Sequence, residues 1–200
     1  TKPPARLTEA SLVSALEERG IGRPSTYASI IDTILRRRYV IKKGNAILPT
    51  FLGISVTCLL EENLSWLIEY NFTARMEAQL DEIAAGQLEQ LECLNQFYFG
   101  ERGLQQSINV LMENIDAREV PGIPLGEIDG ALVQIKVGQY GAYVSNGETN
   151  ADLPEDSTID SVTLDLAQEL IEQRIAGPQL LGVDTETEDN IYLANGRYGY

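Results

Sequence analysis

At Glu119-Val-Pro-Gly-Ile-Pro-Leu-Gly126, prolines and glycines make up half of eight residues, and the hydrophobic period changes across them. Upstream, apolar residues recur at helical spacing. Downstream, Leu132, Val133, Ile135 and Val137 form a β-rich run, Gly138 and Gly141 flank a turn, and Tyr143-Val144 opens another strand. A chain patterned this way is expected to be α+β, with a mainly helical part ahead of a small antiparallel sheet. The joint is the expected boundary: residues 1–118 form one domain, 119–178 a second, and 179–200 an incomplete third element.

Thr8, Glu9 and Ser11 start a helix carrying Leu12, Val13 and Leu16 inward until Gly20 stops it. After Gly20-Ile-Gly-Arg-Pro24, a second stripe of Tyr27, Ile30, Ile31 and Ile34 predicts another helix, cationic at its far end. Tyr39 to Ile41 and Ala46 to Leu48 are strand-like and joined through Gly44-Asn45, a pair suited to a hairpin. Helix, tight turn, helix and basic hairpin is the order of a winged helix. Helical patterning then resumes over Phe51 to Glu62, a short piece at Trp66 and Ile68, Thr73 to Ala85, and Leu88 to Ile115. Its stripes, such as Ala74, Met76, Leu80 and Ile83, read as packing faces, with Trp66 as an anchor.

Beyond the joint, Ser161 to Ile175 predicts one amphipathic helix, after which earlier elements return. Leu125-Gly126 reappears as Leu181-Gly182, 56 residues on, and Gly138-Gln-Tyr-Gly-Ala-Tyr143 returns as Gly196-Arg-Tyr-Gly-Tyr200, 58 residues on. This is a repeat whose second copy is expected to stop short of its own helix.

The net charge of −15 is uneven: residues 1 to 43 hold nine Lys/Arg against four acids, +5, leaving −20 for the rest. Such asymmetry points to a polyanion site in the basic part. With no histidine and two distant cysteines, Cys58 and Cys93, zinc-finger and Cys/His nucleophile chemistries are excluded. No apolar run approaches the roughly 18 residues of a membrane span and no leader is evident, so a cytoplasmic location is expected.

Within that basic part, Gly20-Ile-Gly-Arg-Pro-Ser-Thr-Tyr27 combines two turn-forming glycines, a proline suited to a first helical position and Ser25 as a natural N-cap. Arg23 beside a helix start, with the Ser25 and Thr26 hydroxyls, suits a phosphate. Arg37 lies at the far end of the same helix, about 20 Å away if the intervening residues are helical. The plainer alternatives are that Ser25 only caps, that Tyr27 is core, and that Arg36 to Arg38 are a solvated helix end. Arg6 and Arg75 serve equally as ion-pair partners.

Pro3-Pro-Ala-Arg-Leu-Thr-Glu-Ala-Ser-Leu-Val13, the Gly20 to Ile31 run, Arg37 with Tyr39-Val40, and Tyr70-Asn-Phe-Thr-Ala-Arg-Met-Glu77 closely resemble the bacterial type IA DNA topoisomerase I family. The likeness covers residues 1 to about 115, the segment completing the family's helical core. The later Gly138 to Val144, Gly147 to Ala151 and Leu181 to Asp184 pieces look like the zinc-free repeats that follow that core. The resemblance implies an enzyme that relaxes negatively supercoiled DNA by single-strand cleavage, strand passage and religation, using a tyrosine nucleophile and Mg²⁺ held by a Toprim domain. Neither of those two parts is matched here, so this chain alone is expected to be inactive, without catalytic residues, metal or cofactor. It implies instead a single-stranded DNA grip without sequence preference, made by Arg23, Ser25, Thr26 and Arg37, working with upstream domains of the same polypeptide. Where the family usually has glycine after the Arg37 position, this chain has Arg38.

For Tyr140, Tyr143 and Tyr198 the functional reading is stacking on single-stranded bases, and the alternative is packing within the sheet. Their surroundings are acidic, with Lys136 the nearby cation in the first copy, and the second motif lacks a residue between Gly199 and Tyr200. A competing function for the whole chain is a winged-helix regulator reading duplex DNA, and a third is a scaffold whose acidic part recruits basic partners.

Overall fold

A computed structural model describes residues 4–101, 103–114, 122–154, 157–177, 179–183 and 190–193. It is a mixed structure of helices and small antiparallel sheets, and packing divides it into two units, Thr1–Pro121 and Gly122–Tyr200.

The first unit opens with α1 (Glu9–Glu18). Its start is a reciprocal cap: the Ser11 amide donates to Thr8 Oγ1 at 3.2 Å and the Thr8 amide to Ser11 Oγ at 2.8 Å. Its end is a Schellman turn, with the Ile21 amide on the Leu16 carbonyl, the Gly20 amide on Glu17, and Gly20 at φ +68°. Helix α2 (Tyr27–Arg36) follows, then strands β1 (Val40–Lys43) and β2 (Ala46–Pro49), paired antiparallel with Lys43 opposite Ala46 across Gly44-Asn45. Ile47 donates its amide to the Leu7 carbonyl at 2.7 Å, so the segment ahead of α1 flanks β2 on its other side. Ile31, Ile47, Leu48, Phe51 and Leu64 form the buried core of this unit.

Thr50 locks the hairpin to the next helix, α3 (Phe51–Asn63). Its amide donates to the Tyr39 carbonyl at 3.0 Å, its hydroxyl donates to the Arg38 carbonyl at 2.6 Å, and that same oxygen accepts from the Gly53 amide at 3.0 Å. The tie holds Arg38 at φ +57°, a left-handed conformation that an arginine adopts at a cost. Arg38→Gly is therefore expected to stabilise the unit by about 1 kcal/mol, read as a higher urea midpoint with an unchanged m-value.

Helices α4 (Ser65–Ile68), α5 (Tyr70–Ala84), α6 (Gln90–Phe99) and α7 (Leu104–Asn114) complete the unit. The patterned stretch from Leu88 to Ile115 is two helices, not one, because Gly100 ends α6 and Gly103 precedes α7. Trp66 does anchor this region, edge-on to Phe72 at 5.0 Å and to Phe97 at 6.5 Å, joining α4, α5 and α6. The expected packing stripe is only partly covered, since Leu80 is 54% exposed, and on α6 and α7 Leu91, Phe99 and Met112 are exposed as well.

In the second unit, β3 (Ile123–Ile128), β4 (Ala131–Gly138), β5 (Gly141–Ser145) and β6 (Asn150–Asp152) form a four-stranded antiparallel meander in that order. The Pro/Gly joint is thus partly strand. Pro124 is accommodated because β3 is an edge strand, and Gly126, at φ +152°, sits in a bulge between β3 and β4. Helix α8 (Leu164–Ala176) starts at Thr163, whose hydroxyl accepts the Leu166 amide at 3.2 Å, and buries Ala167 and Ile171. Val133, Ile135, Val144 and Ala151 supply the sheet's buried face.

Strands β7 (Gln179–Val183) and β8 (Asn190–Leu193) pair antiparallel with a register shift between Leu180 and Gly182. The β3–β4 pair has the same irregularity between Pro124 and Gly126. Leu125-Gly126 and Leu181-Gly182 therefore mark one backbone device used twice, which gives the sequence repeat a structural meaning. The second copy's Gly196 to Tyr200 motif, Tyr198 included, lies outside the described residues.

Candidate nucleic-acid interface

The Gly20 to Tyr27 run folds as a turn leading into α2, and its proline and threonine decide the geometry. The Arg23 carbonyl accepts from the Thr26 amide at 2.8 Å and the Tyr27 amide at 3.1 Å, while Thr26 Oγ1 accepts the Arg23 amide at 2.8 Å. Pro24 is the first residue of this turn, where its missing N–H leaves no bond unmade. Ser25 does not cap α2, contrary to the sequence reading. Thr26 immediately precedes the helix, and Ser25, exposed, makes no hydrogen bond among the described residues. The Thr26 hydroxyl turns back onto the Arg23 amide and carbonyl instead, so no side-chain oxygen caps α2.

Helix α5 holds this turn in place. Glu77 Oε1 accepts the Gly22 amide at 3.0 Å, and Gly22, at φ +75°, leaves room for Tyr27, whose ring lies 3.0 Å from where a Cβ would stand. Tyr27 is half-buried, as its place in the apolar stripe implied. Arg19 caps its own helix by donating to the Ala15 carbonyl at 2.8 Å and lies over the Tyr70 ring, 5.3 Å from its centre.

Arg23 is engaged on every side. Its Nε and Nη2 donate to Asp81 Oδ2 at 3.2 and 2.8 Å, and its Nη1 donates to the Gly22 carbonyl at 2.7 Å and the Gly20 carbonyl at 3.3 Å. Glu77 Oε2 stands 3.8 Å from Nη1. The hydrogen bond to Asp81, opposed by partial burial and helped by the charges of Asp81 and Glu77, raises the arginine's pKa above its usual value. The guanidinium is therefore a fixed, permanent cation, one-third exposed at 34%. The sequence motif Tyr70 to Glu77 does not by itself reveal a role for Glu77 or for the nearby Asp81, because they lie 55 and 58 residues from their partners in the turn. The available signal was that two motifs of one family stood in one chain, each with nothing else to explain it.

Arg37 lies exposed just past the end of α2, and that helix has 10 residues, about 15 Å of rise. Arg36 pairs with Asp32 at 3.6 Å and Lys42 with Glu9, so part of the local positive surplus is neutralised. Arg37, Arg38, Lys43 and Arg75 make no ion pair among the described residues.

In the second unit, Tyr140 sits in the two-residue turn between β4 and β5 and is 90% exposed. Tyr143, half-buried on β5, stands opposite Lys136 on one side and Asp152 on the other, with its ring against Gly138. The two tyrosines differ accordingly: one packs along the sheet, the other is open to solvent. Among the described residues no group of three or more Asp, Glu, Cys or His side chains could hold a metal ion, and no helix is long and apolar enough to cross a membrane.

Known proteins match both units. Residues 1–95 fit the family described as DNA topoisomerase, and residues 128–179 fit the topoisomerase C-terminal repeat. The whole chain aligns with the DNA topoisomerase 1 of Streptomyces coelicolor at 45% identity, of Mycobacterium leprae at 46% and of Synechococcus elongatus at 42%, spanning 23% of each. Full-length topoisomerase I from Thermotoga maritima superposes with a TM-score of 0.55 and 30% identity over 79% of this chain and 26% of that one. The chain belongs to the DNA topoisomerase I family.

Proposed function

We propose that this chain is the strand-gripping segment of a type IA DNA topoisomerase, an isomerase relaxing negatively supercoiled DNA by single-strand cleavage, passage and religation. Residues 1–118 act as a winged-helix-like domain that holds single-stranded DNA without sequence preference. Residues 119–178 are a C-terminal repeat and 179–200 the start of another. Arg23 forks onto one backbone phosphate, Ser25 and Thr26 add hydroxyls beside it, and Arg37 holds a second phosphate past the other end of α2. Tyr140 and Tyr143 add stacking surface in the repeat.

The observation that carries this reading is the turn itself. A permanently charged arginine is anchored at a helix start by α5, and Arg37 stands exposed at that helix's other end, with no ion pair among the described residues. Such an arrangement recognises spaced phosphates and has no nucleophile or acid–base pair of its own. The nucleophilic tyrosine and Mg²⁺ belong to upstream domains of the parent enzyme, in the cytoplasm at the nucleoid. Among the described residues no cluster of side chains fits Mg²⁺.

Titration with a single-stranded oligonucleotide and with its duplex tests the reading. Tighter binding to the single strand, indifferent to sequence and weakening steeply with salt, is expected. A preference for duplex with discrimination between sequences would instead identify a winged-helix regulator.

A further inference from the structure

The Arg23 side chain presents its forked edge, Nε and Nη2, to one oxygen of Asp81. That is the edge by which a guanidinium takes a phosphate with two parallel hydrogen bonds. Carboxylate and phosphate therefore compete for one position. The two acids of α5 are held very differently. Glu77 is 23% exposed and also accepts the Gly22 amide, so it is part of the turn's scaffold. Asp81 is 64% exposed, and its carboxylate is held, among the described residues, by Arg23 alone.

We propose that Asp81 is a built-in competitor for the DNA backbone. In the free chain it occupies the guanidinium edge, and it swings into solvent when a phosphate arrives. This rests on the reading of Arg23 as a phosphate ligand. While Asp81 leaves, the Gly20 and Gly22 carbonyls and Glu77 keep the guanidinium in place through Nη1, so the exchange needs no movement of the turn. An ion pair this exposed is weak, and a strand fixed at several other points displaces it. The consequence is a site whose affinity is set low, with a stray phosphate excluded and a bound strand able to leave. A strand that must be gripped and released during each cycle requires that balance.

The test is a titration of the 200-residue chain with a single-stranded thymidine oligonucleotide for four variants. Asp81→Asn, nearly isosteric and on an exposed side chain, is expected to bind about threefold tighter than the unsubstituted chain. In an Arg23→Ala background the same substitution is expected to give no gain, because the competed-for edge is gone. Glu82→Gln, which removes an exposed charge from the next position of α5, controls for general repulsion and is expected to change affinity less. Unchanged or weaker binding by Asp81→Asn, or an equal gain from Glu82→Gln or in the Arg23→Ala background, overturns the proposal. Arg23→Ala binding as well as the unsubstituted chain removes the phosphate site itself, and the competitor with it. An Arg23→Ala defect without an Asp81→Asn gain removes the competitor alone.

Discussion

Gly53→Ala is expected to destabilise the first unit by about 3 kcal/mol or more, the cost of forcing a methyl group into backbone. Gly53 lies in the first turn of α3, and a Cβ there would stand 2.2 Å from the Tyr39 carbonyl oxygen. That oxygen has no freedom to retreat, because it accepts from the Thr50 amide at 3.0 Å and the Thr50 hydroxyl at 3.2 Å. The neighbouring Arg38 carbonyl is tied to the same hydroxyl. Relief requires either α3 or the Arg38-Tyr39 link to shift by about 1 Å, and either movement breaks the Thr50 bonds. Those bonds also fix the chain just after Arg37, so the substitution reaches the proposed phosphate-binding surface through the backbone. Urea unfolding followed by helical circular dichroism reads the loss; an unchanged midpoint would mean that the close approach is not a feature of the protein in solution.

How far the sequence shows this structure depends on the range over which each signal acts. Local signals sufficed for the Thr8–Ser11 cap, the Gly20 stop and the Gly44-Asn45 hairpin, because each is settled within four residues or so. The change of period at the Pro/Gly joint likewise falls where helical elements give way to strands, α7 ahead of it and β3 within it. The same prolines and glycines also concealed β3, since an edge strand and a bulge tolerate residues that otherwise signal a loop. Ser25 meets a related limit: Ser and Thr are both good caps, and only the three-dimensional turn shows that Thr26 precedes the helix and bonds back to Arg23. Nothing local could show that Arg23 meets Asp81, because chain separation hides ion pairs. The exposed apolar side chains of α6 and α7 are a further limit, since periodicity shows which residues share a face but not what covers it.

Arg23→Ala is expected to weaken binding of single-stranded DNA about tenfold, as a forked, charge-assisted contact to phosphate is lost. Part of the intrinsic strength of that contact is offset by breaking the Asp81 pair, which holds the effect below what an unpaired arginine would show. Arg23→Lys keeps the charge without the fork and is expected to fall between the two. Because Arg23 also donates to the Gly20 and Gly22 carbonyls, thermal unfolding of each variant accompanies the titration. A lower melting temperature with unaltered affinity would make the arginine purely structural.

The decisive measurement is fluorescence anisotropy of a labelled single-stranded oligonucleotide with the chain and with Arg23→Ala, repeated across salt concentrations. One fewer phosphate contact is expected to reduce the slope of log affinity against log salt by about 0.7, together with the tenfold loss. Identical affinities and identical slopes for the two proteins would contradict the account.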